Sequence, residues 1–498
     1  MMKPRQDLVP NTADYEITPL VKPTGFREYD ARWILEKEIN LLGIQALGLA
    51  LATYVHEIGV QPRIVVGHDF RSYSLSVKQA LIIGLLEGGM EVLDIGLALS
   101  PMAYYGQFAL NAPCVAMVTA SHNENGWTGV KMGAQPPLTF GPDEMGRLKT
   151  LVLEGQGVAR PGGRLERVEG FREQYIADVA AKTKLGRPLK VVCACGNGTA
   201  GVFAPQALRL MGCEVIEMDT DLDYTFPKYN PNPEDHVMLM QMAAKVRETG
   251  ADLALGFDGD GDRCGVVDDT GEEIFADKIG LMLARDLSAI YKNVTFVVDV
   301  KSTGLYKTDE ILKANGATTV YWKTGHSYIK RKTAELGALA GFEKSGHFFL
   351  SGPLGHGYDD GIVAAGAVLA MLDRNAGKTL SELKTALPDA WTSLTMSPHC
   401  SDETKYQVLE KLVAEYEDLF AAGGSVLGRK IVEVITVNGA RVHLEDGSWV
   451  LIRASSNKPE MVVVVESMRS ADDMRDLFRQ EMKPRLAAHG VVEYNQEI

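Results

Sequence analysis

The chain has 498 residues, too many for one hydrophobic core, so three or four domains are expected. Its 46% hydrophobic and 23% charged residues are those of an ordinary globular protein. A net charge of −14 argues against nucleic acid or an acidic membrane as a partner held by bulk attraction, and leaves any anionic substrate to a local basic cleft.

The six cysteines (114, 193, 195, 213, 264 and 400) form no C-x-x-C pair and show no zinc-ligand spacing. Several lie in apolar strand-like runs as small hydrophobes, which suits a reducing cytoplasm. The stretch Met1–Glu16 is polar, without the apolar core of a signal peptide, and no later run reaches membrane-spanning length. A cytoplasmic protein is therefore expected.

In chain order, Arg63–Gly67 is predicted as a strand, Leu75–Leu86 as a helix and Gly89–Asp94 as a second strand. Cys114–Val118 follows as a third strand, ending in Thr119-Ala-Ser-His-Asn123. The pattern recurs. Lys190–Cys193, Val202–Met211 and Gly212–Ile216 lead to Leu253–Phe257, which ends in Asp258-Gly-Asp-Gly-Asp-Arg263. A third copy runs Thr295–Val300, Leu305–Ala314 and Gly316–Val320, then Ala338–Phe342 ending in Glu343-Lys-Ser-Gly-His347. Strands alternating with helices of this length predict stacked α/β domains with largely parallel sheets. Ligands in such sheets collect outside the carboxyl ends of the strands, so three specialised loops would face a shared cleft. Beyond about Thr379 the style changes. Lys430–Val437, Gly439–Leu444, Trp449–Arg453 and Met461–Glu466 read as strands and Ala471–Leu486 as an amphipathic helix, a smaller α+β domain. The polar stretch Asn375–Ser381 before it is a candidate hinge by composition.

Ser121-His122, read as lying on a strand-to-helix turn, is the nucleophile candidate. A helix N-terminus there would supply backbone donors and partial positive charge for a phosphate on the hydroxyl, although a plain helix cap is the commoner use of such a serine. No Gly-x-Ser-x-Gly elbow is present, so an acyl-transfer hydrolase is not indicated. Lys131, ten positions on, is either a solvated lysine or an aid to proton transfer.

Asp258, Asp260 and Asp262 alternate with glycine, so their carboxylates can share a side around a hard cation such as magnesium. The rival is an EF-hand loop starting at Asp258 and ending at Asp269. It is disfavoured because Arg263 occupies the position that wants glycine. Glu343-Lys-Ser-Gly-His347 offers an acceptor, a hydroxyl and an imidazole suited to sugar hydroxyls, or is a polar loop. Gly325-His326 is similar. Arg453-Ala-Ser-Ser-Asn-Lys458 is a plausible phosphate clamp, or an exposed hairpin turn.

In this order the loops resemble the α-D-phosphohexomutase family, especially its phosphomannomutase/phosphoglucomutase branch, over nearly the whole chain. Phe26-Arg-Glu-Tyr-Asp-Ala-Arg32 is similar to the family's entry motif and Gly67-His-Asp-Phe-Arg71 to a structural motif. The resemblance implies three similar α/β domains with mixed, largely parallel sheets plus a C-terminal α+β domain around a central cleft. It implies boundaries of 1–165 for a phosphoserine-loop domain, 166–271 for a metal-binding-loop domain, 272–385 for a sugar-binding-loop domain and 386–498 for a phosphate-binding domain. Ser121 would carry the phosphoryl group, and one Mg2+ would be held by Asp258, Asp260 and Asp262 against the phosphoserine. His122, Lys131, His326 and Arg32 would serve proton transfer and charge stabilisation, with Arg263 a further charge-stabilising group. Tyr29, Lys301, Gly325, Glu343, Ser345 and His347 would bind the sugar phosphate, and Arg453, Ser455 and Asn457 the phosphate that is not reacting. Glu124, Trp33 and Asn457 depart from the family pattern and remove no catalytic group.

The expected activity is interconversion of hexose 6-phosphate and hexose 1-phosphate, mannose first and glucose second, with a hexose 1,6-bisphosphate as intermediate and activator. A phosphoglucosamine mutase is the runner-up, its loop more often carrying glutamine where Lys344 stands. A magnesium-dependent sugar phosphatase and a non-catalytic phosphosugar-binding protein are the rivals from other classes.

Overall fold

Two fully buried apolar strands, Cys114–Val118 and Leu253–Phe257, lie inside the sheets that carry the most distinctive loops. A strand covered on both faces reads as a continuous apolar run rather than an alternating one. The computed structural model describes residues 3–455, 459–494 and 498. Contacts divide the chain into two units, Met1–Ala276 with Ser345–Ser381 and Asp277–Lys344 with Glu382–Ile498.

The first unit holds two sheets. One contains β1 (Ala31–Ile34), β2 (Arg63–His68), β3 (Glu91–Leu97), β4 (Cys114–Val118), β5 (Trp127–Gly133) and β6 (Arg164–Arg167), in the order β1-β5-β4-β2-β3-β6. Strands β4, β2, β3 and β6 are parallel, while β5 and β1 are antiparallel additions. The other contains β7 (Lys190–Ala194), β8 (Glu214–Met218), β9 (Leu253–Phe257), β10 (Cys264–Val267) and β11 (Glu273–Ile274), in the order β11-β10-β9-β7-β8. Strands β9, β7 and β8 are parallel and the other two antiparallel.

In the second unit, β12 (Thr295–Asp299) lies between β13 (Thr318–Trp322) and β14 (Ala340–Phe342), all parallel. The next strand, β15 (Phe348–Leu350), falls within the first unit. The repeat is therefore visible as topology: β2, β7 and β12 are each flanked by the two strands that follow them in their copy. The remaining strands, β16 (Trp391–Thr392), β17 (Ser425–Val426), β18 (Arg429–Ile435), β19 (Ala440–Leu444), β20 (Trp449–Ala454) and β21 (Met461–Ser467), form an antiparallel sheet ordered β16-β21-β20-β19-β18-β17. Leu412 and Tyr416 of the helix Lys405–Ala421 share its core with Phe478 and Leu486.

Two predicted helices are broken. Leu305–Ala314 splits into Leu305–Thr308 and Glu310–Ala314 because the Asp309 carboxylate accepts the amide N–H groups of Ile311 and Leu312, both at 3.0 Å, and starts a new helix. Ala471–Leu486 becomes Ala471–Asp476, a π-turn over Leu477–Met482, and Lys483–Ala488. Pro484 has no N–H for the i−4 ladder, and the wider turn precedes it. Among the described residues no helix is long and apolar enough to cross a membrane. All six cysteines are buried and free.

Candidate active site

The loops that follow β4 and β9 meet within the first unit. Ser121 adopts φ +51°, a left-handed conformation unusual for a side-chain-bearing residue, and its N–H donates to Thr119 Oγ1 at 2.9 Å. Its Oγ lies 3.3 Å from Asp258 Oδ2 and 3.2 Å from His122 Nδ1. Glycine sets how closely the loops approach, since a Cβ on Gly259 would stand 2.5 Å from the Ser121 carbonyl oxygen. The predicted strand-to-helix turn is corrected here: the chain runs from Ser121 into the antiparallel strand β5, not into a helix. The helix N-terminus near these loops belongs to Ser100–Ala109, where Ser100 donates its N–H to the Asp260 carbonyl (3.0 Å) and its hydroxyl to Asp260 Oδ2 (2.6 Å).

Asp258, Asp260 and Asp262 are fully buried on a turn, and each offers a carboxylate oxygen within 4.8 Å of the others. Lys131 Nζ pairs with Asp260 Oδ2 at 2.7 Å and with Asp262 Oδ2. That leaves Asp260 Oδ1, which among the described residues has no hydrogen-bond partner, and Asp262 Oδ1, which faces only His347 Nε2 at 3.4 Å. Burial, together with the charges of Asp262 and Asp260, pushes the Asp258 carboxyl well above the usual carboxylate range. Although burial opposes it, Lys131 and His347 hold Asp262 well below that range. Three buried carboxylates within 4.8 Å of one another, with a buried oxygen of Asp260 left unbonded, fit a hard divalent cation such as magnesium.

The cationic groups predicted for the site gather around this loop. Arg263 donates its N–H to Asp258 Oδ1 (3.2 Å) and brings Nε to 3.9 Å from Asp258 Oδ2. Arg32 bonds Asp30 Oδ2 (2.8 Å) and Asn123 Oδ1 (2.7 Å), tying β1 to the Ser121 loop, and Tyr29 lies half-buried in the turn before it. Arg263, burial and Arg32 together hold His122 well below its ordinary pKa, so it is neutral. Burial works against the Lys131 charge, but Asp260 and Asp262 outweigh it and hold that amine well above its usual range. Ser345 Oγ lies 3.1 Å from His347 Nδ1, and His347 Nε2 lies 3.4 Å from Asp262 and 3.8 Å from Asp359. His347 thus stands beside the acidic loop.

The second unit carries the rest. The Gly325 N–H donates to Glu343 Oε1, and His326 begins the helix His326–Glu335. Lys301 lies 4.0 Å from Asp299, whose carboxyl is raised by burial against the pull of Lys301. The Thr324 N–H donates to Asn438 Oδ1 at 3.4 Å, and neighbouring Gly439 packs so closely that a Cβ would meet the Arg453 backbone at 2.8 Å. These contacts connect the Gly325 loop to the end of β20. Ser455 accepts Lys405 Nζ on its carbonyl at 2.6 Å. Asn457 lies outside the described residues.

Three residues that hold the Ser121 and Asp258 loops went unassigned in the sequence: Arg71, Ser100 and Asn230. Only Arg71 carried a signal, in the motif Gly67-His-Asp-Phe-Arg71 at the end of the strand that neighbours β4.

Known proteins match this chain over most of its length. Family models described as phosphoglucomutase/phosphomannomutase α/β/α domains I, II and III and C-terminal domain match residues 23–156, 172–271, 275–391 and 402–483. The phosphomannomutase/phosphoglucomutase of Pseudomonas putida is 33% identical over 94% of this chain and 97% of its own length. The phosphoglucomutase of Neisseria meningitidis is 30% identical over 89% of this chain and 92% of its own. A crystal structure of a phosphoglucomutase/phosphomannomutase family protein from Burkholderia thailandensis superposes with a TM-score of 0.86 at 28% identity, covering 96% of this chain and all of that one.

Proposed function

The chain belongs to the phosphoglucomutase/phosphomannomutase family, isomerase-class phosphotransferases, and from that premise we propose that it interconverts hexose 6-phosphates and hexose 1-phosphates, mannose first and glucose second, with Ser121 as the phosphoryl carrier. The observation that carries the residue assignment is Ser121 Oγ lying 3.3 Å from Asp258, in a cluster of three buried carboxylates in which Asp260 keeps an unbonded oxygen.

In the first half-reaction the Ser121 Oγ–P bond breaks as a P–O bond forms to the free sugar hydroxyl. The proton of that hydroxyl ends on Ser121 Oγ. The bisphosphate then turns over, and its other phosphate returns to Ser121 with the proton passing back to the released sugar oxygen. Neutral His122, with Nδ1 3.2 Å from Oγ, can accept the serine proton in that return. Lys131, held charged by two carboxylates, acts as a charge stabiliser rather than as a base. Arg32 and Arg263 offset phosphoryl charge, and His326 is the proton-transfer candidate of the second unit. A magnesium ion held by Asp258, Asp260 and Asp262 would polarise the phosphoryl group and offset its charge when bound.

Glu343, whose Oε1 accepts the Gly325 N–H, would accept sugar hydroxyls, and Ser345, His347, Tyr29 and Lys301 are the further substrate-binding residues of this reading. Arg453, Ser455 and Asn457 take the distal phosphate. We propose the four domains 1–165, 166–271, 272–385 and 386–498 for these tasks, a hexose 1,6-bisphosphate as activator, and a cytoplasmic setting, which the six free buried cysteines support.

The test is mass spectrometry after incubation with a hexose 1,6-bisphosphate. The protein should gain one phosphoryl group, mapped to Ser121 and absent from Ser121→Ala. A phosphoryl group on another residue, or none, would overturn the assignment.

A further inference from the structure

Four consecutive carbonyl oxygens of the Ser121 loop are bound from outside that loop. Arg71 donates from Nη2 to the carbonyls of Ser121 (3.0 Å) and Asn123 (2.5 Å), and from Nη1 to that of Glu124 (3.1 Å). The Asn230 side-chain amide donates to the carbonyl of His122. The guanidinium is itself held. Its Nε lies 3.3 Å from Asp69 Oδ2, its face lies 5.3 Å from the centre of the Phe226 ring, and the residue is 3% exposed. Asp69 also accepts the Ala120 N–H (3.3 Å) and the Ser74 hydroxyl. Asp69 and Arg71 follow β2, which pairs in parallel with β4, so the loop after one strand grips the loop after its neighbour.

We propose that Arg71, oriented by Asp69 and Phe226, is the positioning residue that keeps Ser121 Oγ aligned for phosphoryl transfer; this rests on the reading of Ser121 as the phosphoryl carrier. Two physical reasons support it. A serine held at φ +51° costs about 1–2 kcal/mol, and without restraint it would relax and carry Oγ away from Asp258. A phosphoryl dianion also repels carbonyl oxygens, and one cation bonded to three of them offsets that repulsion. A lysine cannot substitute, because a compact ammonium cannot reach three carbonyls as a planar fork does. In-line transfer is sensitive to such loosening, since a displacement of about 1 Å can cost on the order of 100-fold.

The experiment uses the full-length enzyme and the variants Arg71→Lys, Arg71→Gln and Arg71→Ala, with rates expressed per folded protein. Phosphoryl uptake from glucose 1,6-bisphosphate is followed by mass spectrometry, alongside kcat and KM for mannose 1-phosphate. Uptake and kcat should both fall about 10- to 100-fold in Arg71→Lys, and further in Arg71→Gln, while KM stays within about threefold. Guanidinium ion at a non-denaturing concentration should restore part of the rate to Arg71→Ala. Uptake and kcat per folded protein equal to wild type in Arg71→Lys, or a loss carried by KM alone, would overturn the positioning role. Wild-type enzyme that takes no phosphoryl group on Ser121 would overturn the phosphoserine reading instead, so the two failures are distinguishable.

Discussion

Lys131 Nζ lies 2.7 Å from Asp260 Oδ2 and pairs also with Asp262, and the three side chains are almost wholly shut off from solvent. One ammonium thus serves two buried carboxylates, with the Asp258 carboxyl group beside them. Breaking a buried pair by removing one partner costs about 3–5 kcal/mol, because the remaining charge is left uncompensated. Lys131→Met should therefore lower the metal-free melting temperature. A divalent cation on the same carboxylates should restore more stability to the variant than it adds to wild type. Thermal unfolding with and without magnesium chloride measures this, and equal gains in both proteins would contradict it.

His443 should give the fold an acid-sensitive limb. Its Nε2 accepts Arg441 Nε at 2.8 Å, and burial, with the charges of Arg441 and Lys307, pushes its pKa well below the ordinary value. The folded state therefore disfavours the imidazolium. Stability is fully present above the unfolded pKa of about 6.5 and falls as pH drops below it, by at most about 1.4 kcal/mol per pH unit for this one group. Urea titrations from pH 5 to 8 should show a shallower acid limb in His443→Gln than in wild type. An unchanged slope would mean that His443 is not the group responsible.

Arg441 holds the turn that presents Lys301. Its guanidinium lies 4.1 Å from the Tyr321 ring centre and 3.6 Å from that of Trp449, and Nη1 donates to the carbonyls of Val300 (2.5 Å) and Ser302 (2.7 Å). Arg441→Met keeps the bulk and removes the donors, leaving two buried carbonyls unpaired at about 1–3 kcal/mol each. If Lys301 binds the substrate, KM for the sugar phosphate should rise by about tenfold or more, with a smaller change in kcat. Steady-state kinetics at a temperature where the variant is folded is the check, and an unchanged KM would count against the role of Lys301.

The parts that were legible in the sequence are those whose signal is local. Cys114–Val118 and Leu253–Phe257 have the boundaries expected of them because an unbroken apolar run between polar turns leaves little choice. The Asp-Gly-Asp-Gly-Asp turn was legible as a candidate cation site because the carboxylates and the glycines that let them converge are contiguous. The Ser121 turn hides its true continuation because β5, Trp-Thr-Gly-Val-Lys-Met-Gly, carries one interior and one terminal glycine and a buried lysine and so lacks clean strand alternation. The break at Asp309 was hidden for a related reason, since a capping carboxylate inside an apolar-periodic stretch looks like one polar position of a helix. Ser100 and Asn230 reach the site only through loops distant in sequence, so no spacing rule reveals them, whereas Arg71 is marked by the motif it ends.

Phosphorus NMR of the purified protein with magnesium and a trace of glucose 1,6-bisphosphate, given mannose 1-phosphate, glucose 1-phosphate or glucosamine 1-phosphate in separate samples, is the decisive measurement of the activity. A hexose 6-phosphate signal should grow without free phosphate, fastest with mannose 1-phosphate, next with glucose 1-phosphate, and not at all in Ser121→Ala. Release of inorganic phosphate in place of the 6-phosphate, or no change with any of the sugars, would contradict the proposed activity.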